Sequence, residues 1–376
     1  MKKAGIYIHI PFCLRKCAYC DFYSLAFDSA ICERYVNSLI AELSLFARRE
    51  IDTIYFGGGT PSLLASEQVS RILSAINDRM VVCDGAEITL EANPATITRE
   101  KLSELRSLGV NRLSLGIQAT DDAALKTLGR LHNKAEAFAA VNDALAAGFT
   151  NISADIMLAL PNDDEEKPLR RAEEISFLPV THISAYLLKI MENTLFYINT
   201  PAGLPSDDRQ AALYEVCCET LSKNGFSQYE ISNFSKGEEN RSRHNLKYWS
   251  CEDYIGLGAA AHSSLGGNRY SFPASISRFI KAFPAKSDAS GEEHLLSRLS
   301  LEGKVDAEDY IMLRLRTTEG LSRKLLYNLY SFAFDSTKEK KIEAYAKEGL
   351  LTDDKEVITL TVKGFLVSNS IISELI

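Results

Sequence analysis

Six short runs rich in β-branched and aromatic residues recur in the first half of the chain: GIYIHI (5–10), TIYFGG (53–58), EITLEA (87–92), RLSLGI (112–117), ISADIMLAL (152–160) and HISAYLL (182–188). Between them lie stretches whose apolar positions return every three or four residues, as Ile31, Tyr35, Leu39, Leu43 and Phe46 do, and as SEQVSRILSAI, REKLSELRSLG and KAEAFAAVNDALAAG repeat. Gly109 and Gly148 follow the last periodic residue of their stretches, where helices end. This alternation predicts an α/β fold with a parallel sheet and helices outside it, either a barrel, complete or partial, or a doubly wound sheet.

Beyond residue 190 the rhythm loosens into a helix near 207–224, an extended piece GFSQYEIS and a loop-rich stretch running from SKGEENRSRHNLKYW to GLGAAAHSSLGG. PAKSDASGEE (284–293) is small, polar and charged and reads as a linker. The tail is helical until GLLTDDKEVITLTVKGFLV, which reads as two strands about a charged turn. Helices followed by such a hairpin point to a small helical, winged-helix-like unit that caps or docks rather than binds DNA. A chain of 376 residues therefore divides into two units, expected at 1–285 and 286–376.

Composition narrows the class. The net charge of −8 argues against non-specific nucleic-acid binding, so no nucleic acid is expected as partner. No apolar run approaches the ~18 residues of a membrane span, and the opening MKKAGIYIHIPF is too short for a secretory signal, so the expected location is cytoplasmic. In that reducing compartment Cys32, Cys83, Cys217, Cys218 and Cys251, at irregular spacing, read as packed thiols and not as disulfides.

The remaining cysteines, Cys13, Cys17 and Cys20, crowd into FCLRKCAYCDF at the end of the first predicted strand. In parallel βα architectures ligands meet the carboxyl ends of strands, and those ends here also carry Gly57-Gly58-Gly59-Thr60-Pro61, Glu91-Ala92-Asn93-Pro94 and Gln118, with Asp155 inside the fifth run. Zinc normally takes four ligands, usually as two separated pairs, and no second pair follows. Three unlinked thiols are improbable at this density. An iron–sulfur cluster fits better, since three thiolates can hold three corners of a cubane and leave one iron open.

The segment Tyr7 to Cys20, Y-x-H-I-P-F-C-x3-C-x2-C, resembles the opening of the radical S-adenosylmethionine (SAM) enzymes, in particular the group of oxygen-independent coproporphyrinogen III oxidase-like proteins. GGGTPS, TLEANP, RLSLGIQ, LGRLH, ADIMLALP, HNLKYW and LTVKGFLVSN extend the resemblance over nearly the whole chain. It implies a partial TIM-like (β/α)6 barrel followed by a winged-helix-like domain, a [4Fe-4S] cluster on Cys13, Cys17 and Cys20, and SAM as ligand of the open iron. It further implies that Tyr7 and Tyr19 flank the cluster and methionine, that Gly58, Gly59 and Thr60 meet the methionyl amine, and that Glu91, Gln118, Arg130 and Asp155 hold its carboxylate and ribose. Glycine there would allow backbone carbonyls to come close to a cation.

Two features shift the resemblance within the group. Phe22 stands where the oxidases carry a further cysteine, and the cluster loop begins almost at residue 1, whereas the oxidases carry an extension before it. These features and HNLKYW look like the haem chaperones of the group, which implies haem as cargo and haem-accepting proteins as partners. An imidazole suits haem iron, so His244 is the candidate ligand, with Tyr248 and Trp249 covering the macrocycle and Arg241, Arg243 and Lys247 pairing with propionates. His9 reads as a core residue or as one that supports the site from behind its direct contacts. The alternative is radical decarboxylation of coproporphyrinogen III, or another radical SAM reaction; reductive chemistry would call for an electron donor such as flavodoxin or ferredoxin. Peripheral contact with membrane haem proteins is a further implication. GLGAAA (256–261) imitates a dinucleotide fingerprint but lacks a full preceding strand and a following helix, so it is expected to serve backbone packing.

Overall fold

A computed structural model describes residues 3–285 and 297–376. Its main sheet holds the strands β1 (Ala4–Ile10), β2 (Glu50–Gly58), β3 (Val81–Ala92), β4 (Arg112–Gln118), β5 (Asn151–Leu158), β6 (His182–Leu187), β7 (Ser227–Gln228), β8 (Asn233–Ser235), β9 (Tyr254–Leu257), β10 (His262–Leu265), β11 (Asn268–Ser271) and β12 (Ser300–Lys304). Their order is β12-β11-β10-β9-β1-β2-β3-β4-β5-β6-β8-β7. From β9 through β6 every neighbouring pair is parallel. The ends β12 and β7 do not meet, so the sheet is a partial barrel, the incomplete form among the expected alternatives.

All six predicted strands form. Alternation along them explains the layers. Ile6, Ile8 and Ile10, with Ile54, Phe56, Leu90, Leu113, Leu115, Ile152 and Ile156, face the helices and build the main core. The helix Ser29–Leu43 returns Tyr35, Val36, Leu39 and Leu43 to that core, and Asp28 starts it by accepting the Ile31 N–H at 2.8 Å. The opposite face is unusually polar. Tyr7, Tyr55, Thr89 and Arg112 stand in register across β1 to β4, as do Glu91, Ser114, Ser153 and His182 across β3 to β6. The runs that read as apolar are thus apolar on one face alone, and the other face lines a polar interior.

The C-terminal unit packs the helices Ala307–Arg314, Arg323–Tyr330 and Ser336–Lys347 on an antiparallel sheet of Leu321–Ser322, Val357–Leu360 and Leu351–Asp353. Tyr310, Ile311, Leu326, Ile342, Ile358, Phe365 and Ile372 form its separate core. Backbone bonds join it to the barrel: Ile231 N to Arg316 O at 2.9 Å and Thr318 N to Tyr229 O at 3.1 Å. Among the described residues no helix is long and apolar enough to cross a membrane.

Three stretches bear on the expectations. Most of the linker 284–293, and the start of the second unit at 286, lie outside the described residues; but Ser300–Lys304 pairs with Asn268–Ser271 and so extends the barrel's sheet past 285. HNLKYW lies not in a loop but in the helix Arg243–Trp249. GLGAAA does follow a strand, β9, whose Gly256 lies so close to His262 O that no Cβ fits. The chain then turns into β10 instead of a helix, which leaves the stretch its packing role.

Candidate functional site

The carboxyl end of β1 delivers the cysteine loop. Two backbone bonds pin it, from Ala18 N to Leu128 O at 3.1 Å and from Phe196 N to Ala18 O at 2.9 Å, and Phe27 N holds Cys13 O at 3.0 Å. Cys13, Cys17 and Cys20 are free and partly exposed. The Arg130 guanidinium lies 3.3 Å from Cys17 Sγ and donates to Gly116 O at 2.6 Å, while Thr60 Oγ1 lies 3.5 Å from Cys13 Sγ. Burial pushes the Cys20 thiol up to about 11. Among the described residues no three His, Cys, Asp or Glu side chains are placed to hold a single metal ion. Three soft thiol donors on one loop, with a cation beside one of them, fit an iron–sulfur cluster.

Gly58 and Gly59 carry the chain from β2 past this loop. Gly58 has φ +109°, and a Cβ on Gly59 would meet Phe12 O at 2.7 Å and Ile10 O at 2.9 Å. Gly59 N donates to Ile10 O at 2.9 Å. The close approach that demands glycine is therefore already made to the protein's own backbone, a different reason from the one expected. Gly58 N donates to Glu91 Oε2 at 3.1 Å and the Tyr55 hydroxyl to Glu91 Oε1 at 2.8 Å. Burial pushes the Glu91 carboxyl up to about 7, against the pull of the Tyr55 bond. Gln118, at φ +69°, and Arg130 both lie over Gly116. Tyr19 adjoins Cys17 and Arg130, and burial pushes its phenol well up. Asp155 sits deeper, accepting from Ser114 Oγ at 2.9 Å and Ser153 Oγ at 3.3 Å, and burial raises its carboxyl. Tyr7 is hydrogen-bonded to His9 Nδ1 at 2.9 Å, and His9 Nε2 to Tyr23 O at 3.0 Å, which leaves His9 a buried structural residue.

Next to these groups opens a mouth cavity of about 440 Å³. Tyr7, Gly58, Glu91, Glu230, Asn233, Tyr248 and Trp249 are among its lining residues, with Phe22, 61% exposed, at its rim. Phe22 therefore presents an aromatic ring to the cavity. Glu230 Oε1, Asn233 Oδ1 and Trp249 Nε1 are buried without a hydrogen-bond partner among the described residues. Buried polar atoms are normally paired, so these three suit a ligand that brings polar atoms of its own.

The structure encloses His244. It is fully buried, lies outside the cavity lining, and has both ring nitrogens engaged, Nδ1 with Thr53 Oγ1 and Nε2 with the Tyr248 hydroxyl, each at 2.8 Å. Burial, with Lys247 and Arg112 nearby, pushes its pKa down to about 3. Neither nitrogen is open to haem iron in this arrangement. The expected propionate partners are committed too. Lys247 pairs with Asp52 and Glu252, both at 2.9 Å; Arg243 donates to Gly85 O at 2.8 Å; Arg241 pairs with Glu238 and Glu319, both at 3.3 Å. Tyr248 and Trp249 do line the cavity. The polar interior contributes residues that strand reading missed: Tyr55, Glu87, Arg112 and His182. Their period-two alternation with the apolar positions was the available signal.

The partial barrel, cysteine loop and glycine turn define the class. Residues 7–175 match the radical SAM superfamily and residues 301–367 the HemN C-terminal domain. The fold matches that of coproporphyrinogen III oxidase (HemN) from Escherichia coli, a radical SAM enzyme, with a TM-score of 0.82 and 21% identity, covering 100% of this chain and 90% of that one. More narrowly, the chain belongs to the family of the proteins called Heme chaperone HemW. It is 35% identical over 374 residues to that of Lactococcus lactis subsp. lactis (strain IL1403), covering 98% of this chain and 96% of the relative. To that of Bacillus subtilis (strain 168) it is 34% identical over 380 residues, covering 99% and 98%. The cofactors of the class are a [4Fe-4S] cluster and SAM. Cys13, Cys17 and Cys20 are the residues here with the chemistry to hold the cluster.

Proposed function

We propose that this protein is a haem chaperone: it binds haem as cargo in the mouth cavity beside the cluster loop and passes it to haem-accepting proteins. Full-length kinship with proteins named for that role carries the reading. The aromatic rim of Phe22, Tyr248 and Trp249 supports it, since flat apolar rings cover a macrocycle. Bound on Cys13, Cys17 and Cys20, the cluster with SAM would supply one-electron chemistry. The chain's own part is to hold it: Arg130 sets a positive charge beside Cys17, and the Gly58–Gly59 turn brings Thr60 to Cys13. Tyr7, Glu91, Gln118 and Asp155 are assigned to SAM contacts. The partners on this reading are haem, acceptors that include membrane haem proteins touched peripherally, and a donor such as flavodoxin or ferredoxin where reduction is needed. The cytoplasm, where cysteines stay reduced and form no disulfides, is its place.

Anaerobic reconstitution tests the reading. Wild-type protein is expected to take up iron and sulfide and, separately, to give a haem Soret band on titration, while Cys13→Ala, Cys17→Ala or Cys20→Ala loses most of the iron. Conversion of coproporphyrinogen III to protoporphyrinogen with steady turnover would assign the site to the oxidase reaction instead.

A further inference from the structure

A second cavity, of about 350 Å³, lies where the C-terminal unit meets the barrel. It adjoins the mouth cavity, since Tyr186, Ile231 and Ser232 line both. The two differ in the ionisable groups of their walls. Glu91 and Glu230 line the mouth cavity. The second cavity has Lys189 and Arg316 in its wall and no acidic residue, together with Tyr214, Phe365 and Leu366.

These cations differ from the basic residues of the 241–247 stretch, each of which is committed to a carboxylate or a backbone carbonyl. Arg316 donates from one terminal nitrogen to Asn369 Oδ1 at 2.9 Å, and its buried Nε has no partner. Among the described residues it forms no ion pair, and burial without a counter-charge lowers its pKa. Lys189 is exposed, and no hydrogen bond or ion pair engages it among the described residues. A guanidinium held partly out of water without an anion is costly, and an arriving carboxylate repairs that cost. The wall of the mouth cavity offers no Lys or Arg to a negatively charged edge, so the two cavities together set the direction in which an acidic, flat ligand can enter.

We propose that the cleft between the barrel and the C-terminal unit is a carboxylate subsite, in which Lys189 and Arg316 receive the propionate edge of a haem whose ring lies in the mouth cavity. This rests on the chaperone reading above, and it adds the orientation of the cargo and a role for the C-terminal unit, which supplies Arg316.

The test compares iron protoporphyrin IX with its dimethyl ester, titrated against the full chain by Soret absorbance in the same buffer. Wild-type protein is expected to bind the free acid at least about tenfold more tightly than the ester, the scale of a charge-assisted contact. Lys189→Met with Arg316→Met should bind both compounds with the affinity of the ester, and Arg316→Lys should keep most of the preference. Lys189→Met alone, at an exposed side chain with nothing to lose in the fold, should give part of the loss. Equal affinity of wild-type protein for acid and ester would overturn the subsite while leaving haem binding intact. So would a preference that survives in both the double variant and Lys189→Met. Failure of wild-type protein to bind either compound would overturn the chaperone reading, and the subsite with it.

Discussion

At the scale of single residues, His244 acts as a strut. Its ring bridges the hydroxyls of Thr53 and Tyr248 and lies 5.2 Å, centroid to centroid, from Tyr55. His244→Ala would leave two buried hydroxyls unpaired beside a cavity, at a cost of about 2–5 kcal/mol. The expected outcome is a lower urea midpoint with the Soret band retained on haem titration. Loss of haem binding at unchanged stability would return His244 to the role of iron ligand. At Gly59 there is no comparable tolerance. Its Cβ would meet main-chain atoms of the loop that presents Cys13, so Gly59→Ala should reduce both stability and iron content.

At the scale of elements, the seven-residue helix Arg243–Trp249 owes its position to a residue on another strand. Ser242 caps it locally, and the Glu87 carboxylate of β3 accepts from both Arg243 N and His244 N at 3.1 Å. Negative charge at a helix start pairs orphan N–H groups and suits the helix dipole. Glu87→Ala should cost about 1–3 kcal/mol and loosen the helix. Trp249 is the sole tryptophan of the chain, so its emission should shift to the red in the variant and report the change directly. A spectrum identical to wild type would show that Ser242 suffices.

For the molecule as a whole, the joint between the two units carries a buried acid. Glu230 bridges to Thr317 of the C-terminal unit while lining the mouth cavity, and burial pushes its carboxyl from 4.5 up to about 7. Because the folded value is the higher one, the unfolded chain ionises first as pH rises. Stability contributed by this group is therefore greatest below about pH 4.5, falls between about pH 4.5 and 7, and then levels, by at most about 3 kcal/mol. Glu230→Gln should flatten part of that fall in denaturant titrations across the pH range. Glu91, displaced in the same direction, leaves a remainder. An unchanged slope in the variant would remove Glu230 from the pH response.

Sequence by itself determined the βα rhythm, because apolar periodicity is local, and it determined the cluster loop, because three thiols in eight positions need no distant partner. The polar interior was legible in principle, since Tyr55, Glu91, Ser114 and Asp155 alternate with apolar neighbours, but each run taken alone looked simply hydrophobic. Only the tertiary structure decided which cations already had partners: Lys247 is paired with Asp52, 195 positions away in the chain, and Arg243 donates to the backbone carbonyls of Asp52 and Gly85. Only it decided that both nitrogens of His244 are taken and that Lys189 and Arg316 meet at one cleft. Availability is a property of what surrounds a side chain, and those surroundings come from segments that chain order does not bring together.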